Sequence, residues 1–192
     1  MRILSNFLAL IICILVIGAL FFFLFPVIEN ELPLKYHKEE TAPMPTNLHP
    51  TVEEKKEKLV SAVKDKGIRM VITEGHRTEE RQEELYQQGR SKEGRVVTHA
   101  RPGESYHNYG LAIDFALQTP GGNLIWDMEY DGNDNGKADW MEVVDTAKGM
   151  GFHWGGDWKN FQDYPHLQMD FGLTIRELKY GKRPKVTDYA DD

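Results

Sequence analysis

The sequence predicts an α+β fold, with a small antiparallel sheet flanked by helices and preceded by one transmembrane helix. Short strand patterns mix with helical patterns without a regular βαβ repeat, which favours α+β over a parallel sheet. A third observation is the apolar run from Ile3 to Ile28, which carries no charge and is longer than the roughly 20 residues that cross a bilayer. The length of 192 residues fits one globular domain with an appendage.

Four segments follow from the composition. Residues 1–28 are expected to form an uncleaved anchor, because no small residues mark a cleavage site behind the apolar run. Residues 29–50 contain four prolines among polar residues and predict a linker. Residues 51–182 are expected to form the folded domain, and residues 183–192 a polar C-terminal tail.

The net charge of the chain excludes one class of binding partner. The formal net charge is -7, which argues against the clustered basic surface that nucleic acid requires. Cys13 is the single cysteine, so no disulfide can form within the chain. The fold must therefore depend on its apolar core, with a metal as the remaining means of support.

The first half of the domain alternates helix and strand. One-sided apolar spacing over Thr51–Lys66, ended by Gly67, predicts a surface helix. The β-branched run Ile68–Ile72 predicts a strand, and Thr78 can cap a helix that extends to about Gln88. We expect residues 89–103 to form a loop.

The second half supplies two further strands and one helix. Alternation between apolar and small or polar residues over Leu111–Ala116 predicts a strand with Asp114 opposite its apolar face. Trp140–Gly149 has the pattern of a helix that ends in glycine, and His166–Phe171 alternates as a strand does.

Three residues of this half form a candidate open zinc site. His107, Asp114 and His166 offer two nitrogens and one oxygen, and a catalytic zinc takes three such protein ligands with one position left open. Gly110 would allow the chain to bend so that the first two converge. Asp163, three residues before the last histidine, then remains as a general base. The alternative is that these histidines and acids only hydrogen-bond one another.

Other residues are candidates for substrate contact. Ser105 precedes the first histidine by two residues and could hydrogen-bond substrate, but it lacks a base of its own for nucleophilic attack. Tyr109 and Trp154 could line a groove, and buried aromatic packing is the alternative for both.

A second metal pattern lies between the strands. Residues 131–142 carry oxygen-bearing side chains at loop positions 1, 3, 5, 9 and 12 with glycine at position 6, the spacing of an EF-hand calcium loop. The five candidate calcium ligands are Asp131, Asn133, Asn135, Asp139 and Glu142. The alternative is a turn rich in asparagine and glycine that binds no metal.

Several motifs together resemble one enzyme family. The pattern S-x-H-x-x-G-x-A-x-D from Ser105, the segment Trp154–Trp158 and the segment Asp163–His166 are similar to zinc peptidases that cut peptidoglycan stem peptides. These are the D-alanyl-D-alanine carboxypeptidases and L-alanyl-D-glutamate peptidases, which share the LAS-type fold. The resemblance extends over Thr51–Lys179 and is greatest to the L-alanyl-D-glutamate endopeptidases.

The resemblance also implies roles. It assigns the zinc ligands and the base to the same residues as above, and it makes Arg77 an electrostatic stabiliser of the oxygen that becomes negative during attack. The alternative for Arg77 is an ion pair with Glu80 or Glu84 on the adjacent helix.

The function expected from this resemblance is a zinc-dependent peptidase that hydrolyses the L-alanyl-D-glutamate bond of the stem peptide, in wall remodelling or lysis. A D-alanyl-D-alanine carboxypeptidase is the close alternative, and a non-catalytic, zinc-stabilised wall-binding module is the alternative of another class. Peptidoglycan stem peptides and the membrane are the expected partners. We expect a single-pass protein of the cell membrane whose catalytic domain lies outside the cell and faces the wall.

Overall fold

A computed structural model of the protein describes residues 42–185. Its helices are α1 (Pro50–Asp65), α2 (Glu79–Gln87), α3 (Asp139–Gly149) and α4 (Ile175–Lys179). Its strands are β1 (Met70–Glu74), β2 (Ala112–Gln118), β3 (Leu124–Ile125), β4 (His153–Trp154) and β5 (His166–Gln168). Short 3₁₀ helices cover Tyr106–Tyr109 and Gly155–Asp157.

Parts of the predicted organisation lie outside these residues. The predicted anchor at 1–28, the linker up to residue 41 and the tail from residue 186 are not described. Within residues 42–185, no helix is both long and apolar enough to cross a membrane.

The strands form one antiparallel sheet in the order β1, β2, β5, β4, with β3 paired to β2. This confirms the predicted α+β fold with a small antiparallel sheet. The register places Asp114 of β2 opposite His166 of β5. Because directly paired residues project to the same face, this register brings two predicted metal ligands together across 52 residues of sequence.

The core lies between this sheet and the helices. Val52, Leu59 and Val63 of α1 are fully buried, and α1 contacts α3. Trp140 at the start of α3 is also fully buried, with its ring centroid 4.4 Å from that of Phe115 on β2. The start of α3 is therefore part of the packing that supports the sheet.

The three predicted helices are confirmed within one residue at each end. All three predicted strands differ in their bounds, and the second covers Ala112–Gln118 where Leu111–Ala116 was predicted. The first begins at Met70 because Ile68 still belongs to the turn that closes α1, where its N–H donates to Val63 O at 3.0 Å. The last ends at Gln168, three residues earlier than predicted. Strands β3 and β4 and helix α4 were not predicted, because segments of two to five residues are too short to show a period.

Both margins of the described segment contact the domain. His49 donates its N–H to Gly110 O at 2.9 Å, and Arg183 donates to Ala42 O at 2.9 Å. Gly110 adopts a left-handed conformation with φ of 67°, and an added Cβ would lie 2.3 Å from Asn47 O. The last residues of the predicted linker and the first of the predicted tail therefore pack beside the bend before β2.

Candidate metal centre

Three side chains converge at the β2–β5 pair. His107 Nε2 lies 3.2 Å from Asp114 Oδ1 and 3.1 Å from His166 Nδ1, and His166 Nδ1 lies 3.3 Å from Asp114 Oδ1. Both histidines are buried, and the carboxylate is mostly buried. Within residues 42–185 this is the one group of three or more histidine, cysteine or acidic side chains whose ligand atoms all lie within 4.8 Å of one another.

The hydrogen-bond partners of the outer ring nitrogens determine which nitrogens of His107 and His166 carry a proton. His107 Nδ1 lies 2.7 Å from Gly75 O, a carbonyl that can only accept, so this nitrogen carries the proton. His166 Nε2 lies 3.0 Å from Gln168 Oε1 and donates to it in the same way. The two facing nitrogens therefore both present lone pairs, as metal ligands must.

The donor set fits zinc. With zinc bonds of roughly 2.0–2.1 Å in a tetrahedral site, neighbouring ligand atoms lie about 3.3 Å apart. The three observed separations, from 3.1 to 3.3 Å, match that spacing. Two lone pairs and a carboxylate oxygen at such distances repel one another unless a cation lies between them. His107, Asp114 and His166 would therefore hold the ion, with a fourth position open to the cleft.

Charge around the site keeps the carboxylate ionised. A positive charge within hydrogen-bond distance favours the ionised form of a carboxyl group. Asp114 Oδ2 accepts from Arg77 Nη2 at 3.2 Å.

Arg77 is itself held in place by three side chains. Its Nε and Nη2 donate to the two carboxylate oxygens of Glu74 at 2.9 and 2.8 Å, and its Nη1 donates to Gln82 Oε1 at 3.0 Å. The ion pairs of Arg77 are thus with Glu74 and Asp114, whereas the alternative from the sequence was a pair with Glu80 or Glu84. The guanidinium orients a ligand carboxylate and lines the cleft.

Asp163 occupies the same cleft in a half-buried position. Burial raises the pKa of its carboxyl; the nearby His166 opposes this shift and the Asp114 carboxylate adds to it. A close backbone contact fixes its turn, because Asp163 N donates to Gly155 O at 3.1 Å and an added Cβ on Gly155 would lie 2.4 Å from Asp163 O. A carboxylate with a raised pKa beside the ligands suits a general base.

The cleft has a volume of about 680 Å³. Ser105 lines it and accepts a hydrogen bond from His107 N at 3.3 Å, so its hydroxyl caps the 3₁₀ helix that carries the first ligand. Aromatic side chains form much of the remaining wall, and Trp126, Trp158 and Phe161 are all exposed there. A cleft of this size and composition can hold a peptide.

Two predicted substrate residues lie outside the cleft lining. Tyr109 is buried and donates its hydroxyl to Gly103 O at 2.9 Å. Trp154 is buried and donates Nε1 to Tyr164 O at 2.7 Å. Their placement matches the alternative of aromatic packing.

The predicted calcium loop is arranged differently from the cluster on the sheet. The carboxylate oxygens of Asp131, Asp139 and Glu142 do not all lie within 4.8 Å of one another. The amides of Asn133 and Asn135 instead donate to Glu142 Oε2 at 3.2 and 2.7 Å. The loop lies outside the lining of the cleft.

Sequence reasoning missed the residues that support the ligands. Glu74 and Gln82 hold Arg77, Gln168 holds His166, and the carbonyl of Gly75 holds His107. A backbone carbonyl has no signal in the sequence. Gln168 did have a signal in the sequence, because residues two apart on a strand share a face and Gln168 is two residues from His166.

Comparison of the sequence with known proteins identifies the family that the motifs resemble. A family profile described as D-alanyl-D-alanine carboxypeptidase matches residues 98–169. The peptidoglycan L-alanyl-D-glutamate endopeptidase CwlK of Bacillus subtilis is 64% identical over 127 residues, which cover 66% of this chain and 76% of that protein. The L-alanyl-D-glutamate peptidase of Listeria phage A118 is 36% identical over 114 residues, 59% of this chain and 35% of that protein.

A solved structure is also similar. The L-Ala D-Glu endopeptidase ChiX of Serratia marcescens aligns with a TM-score of 0.44 and 26% identity, over 68% of this chain and 84% of that one. The sequence match to the Bacillus protein carries the assignment, because it combines high identity with coverage of three quarters of that relative. The chain therefore belongs to the family of D-alanyl-D-alanine carboxypeptidases and L-alanyl-D-glutamate peptidases.

Proposed function

We propose that this protein is a zinc-dependent peptidase that hydrolyses the L-alanyl-D-glutamate bond of the peptidoglycan stem peptide. The observation that carries the proposal is the convergence of His107 Nε2, Asp114 Oδ1 and His166 Nδ1, 3.1 to 3.3 Å apart, with Asp163 on the same cleft. The choice of bond rests on the activities of the two sequence relatives.

The residues divide the chemistry among them. Zinc, when bound, supplies Lewis acidity toward the scissile carbonyl and the attacking water. Asp163 takes the proton from that water and delivers it to the leaving amine, which its raised pKa favours. Arg77 orients Asp114, and four of its five N–H groups are already donated to side chains of the protein. One N–H, on Nη1, is left for the carbonyl oxygen of the substrate.

The proposal includes the place of the enzyme. The apolar segment at residues 1–28 supports a single membrane anchor, and a wall substrate requires the catalytic domain outside the cell. A reporter that is active only outside the membrane, fused to the C-terminus, tests this orientation. Loss of reporter activity, with an intact fusion, would place the domain inside.

Product analysis tests the reaction. The full chain, purified in detergent, is incubated with purified peptidoglycan in the presence of zinc or a chelator, and the new termini are identified by mass spectrometry. New N-terminal D-glutamate that disappears on chelation is the expected result. Released D-alanine would favour the carboxypeptidase, the activity by which the matching family profile is described. No product, with zinc bound, would favour a wall-binding module.

A further inference from the structure

The loop between β3 and α3 combines an EF-hand register with an EF-hand backbone. Its glycine, Gly136, lies at the sixth position with φ of 82°, where an EF-hand loop makes its sharp turn. Asp131 at the first position accepts from Asn135 N at 3.1 Å and from Gly136 N at 2.8 Å. The first carboxylate is therefore turned toward the inside of the loop.

Three of the remaining oxygen-bearing side chains, those of Asn133, Asn135 and Glu142, meet at one point. Asn133 Nδ2 and Asn135 Nδ2 both donate to the same atom, Glu142 Oε2. An amide presents its oxygen in place of its nitrogen after a half-turn of its terminal group, and the two ends have nearly the same shape. Two amide oxygens can thus face the position at which the two nitrogens now meet the carboxylate.

An independent observation comes from Asp139. This residue is only 2% exposed, and its Oδ2 accepts from Gly132 N of the loop at 3.1 Å. Its Oδ1 is buried and has no hydrogen-bond partner among residues 42–185. A buried carboxylate oxygen without a partner is costly, so this atom lacks a positive or hydrogen-bonding group.

No basic side chain supplies that group. In the part of the chain that the structure describes, none of the ion pairs includes Asp131, Asp139 or Glu142. Burial raises the pKa of Asp139; hydrogen bonds from Gly132 and Asn133 oppose this shift, and the two neighbouring carboxylates add to it. The carboxylates of Asp131, Asp139 and Glu142 therefore have no basic side chain paired with them.

We infer that residues 131–142 bind one calcium ion through side-chain oxygens, and that this site is separate from the zinc site. Its five ligand side chains are Asp131, Asn133, Asn135, Asp139 and Glu142, and the backbone carbonyl at position 137 would complete the set. Calcium fits because it takes six to eight oxygen ligands, and the loop offers oxygen without histidine or cysteine. Magnesium requires a smaller, stricter octahedron.

The position of the loop determines what the ion would do. Asp139 is the first residue of α3, and the next residue, Trp140, is fully buried against Phe115 of β2. No residue of the loop lines the cleft. Calcium is therefore expected to stabilise the packing of α3 on the sheet and to leave the chemistry at the zinc site unchanged.

Calorimetry and thermal unfolding of the zinc-loaded full chain test the inference. We expect saturable calcium binding with a stoichiometry of about one, and a rise in Tm of roughly 5 °C at saturating calcium. Terbium bound in the loop should also emit when tryptophan is excited, because Trp140 is adjacent. Magnesium at the same concentration should give a clearly smaller shift. Absence of calcium binding at millimolar concentration would overturn the inference.

Variants locate the ion. Asp131→Asn and Asn135→Ala should each weaken calcium binding by at least about tenfold, and neither residue is buried in the core. Asp145→Asn is the matched control, because Asp145 is an exposed acid of α3 outside the loop. Equal calcium binding in the loop variants and the control would show that calcium binds elsewhere and would contradict the assignment.

Discussion

The cluster on the sheet and the loop at residues 131–142 are both rich in metal-binding groups, but they are built in opposite ways. The cluster collects His107, Asp114 and His166 from distant parts of the chain through the pairing of β2 with β5. The loop keeps its five candidate ligands within twelve consecutive residues. The first therefore requires the folded domain, whereas the second requires only a local turn.

The two regions also differ in preorganisation. In the cluster, Gly75 O and Gln168 Oε1 hold the two rings from behind, so the lone pairs already face one another. In the loop, the amides of Asn133 and Asn135 donate to Glu142 and must turn before their oxygens can coordinate. A site that must rearrange binds more weakly than one that is already arranged. We therefore expect tight zinc binding and much weaker calcium binding.

The largest effect is expected at a zinc ligand. His166→Ala removes a donor from the preformed triangle, so the variant should lose stoichiometric zinc and its activity should fall to the level of the chelated enzyme. Metal analysis after dialysis and turnover of peptidoglycan measure both. Calcium binding should survive in this variant if its fold is intact. Full zinc occupancy in the variant would contradict the ligand assignment.

The next largest effect is expected at Asp163, where a substitution should lower catalysis without loss of zinc. Asp163→Asn keeps the shape of the side chain and removes the base, so kcat should fall by about 10²- to 10⁴-fold while zinc stays bound. Turnover and zinc content, measured on the same sample, distinguish this variant from His166→Ala. Wild-type kcat in Asp163→Asn would exclude this residue as the base.

A smaller effect is expected at Gln168, which contacts a zinc ligand rather than the ion. Gln168→Ala removes the acceptor behind His166, so zinc affinity should fall by about 10- to 100-fold. Competition with a chromophoric chelator measures it. Gln168→Glu keeps an acceptor oxygen and should restore most of the affinity, whereas Gln168→Met, which fills a similar space without an acceptor, should not. Equal affinity in Gln168→Met and Gln168→Glu would refute the positioning role.

The difference between the two regions also explains what sequence reasoning could reach. Residue types and spacing predicted the β2 strand, the ligand triangle and the loop register, because these depend on local pattern and on a resemblance to known motifs. The partners of Arg77 depend on how β1 ends beside Asp114, and the alternative of a pair with Glu80 or Glu84 came from helical proximity alone. Tyr109 and Trp154 illustrate the same limit, because burial of an aromatic residue is decided by tertiary packing.

The smallest effect is expected at an acid whose partners are close in sequence, like those of the loop, but which is partly exposed and already paired with a cation. Glu177 in α4 accepts from Lys182 Nζ at 2.8 Å and from Thr174 N at 3.0 Å, and these bonds lower its pKa to about 2. A folded-state pKa below the unfolded value gives stability that is present above the ordinary carboxyl pKa of about 4.5 and is lost as pH falls toward about 2.

Glu177→Gln should therefore lower Tm at pH 7 by only about 2 °C or less, and the difference from wild type should shrink below pH 4.5 and vanish near pH 2. Thermal unfolding as a function of pH measures this, with the exposed Glu129→Gln as the matched control. A Tm loss as large as that from calcium removal would contradict the expected order, since it would mean that a partly exposed, locally paired carboxylate contributes as much as a buried one.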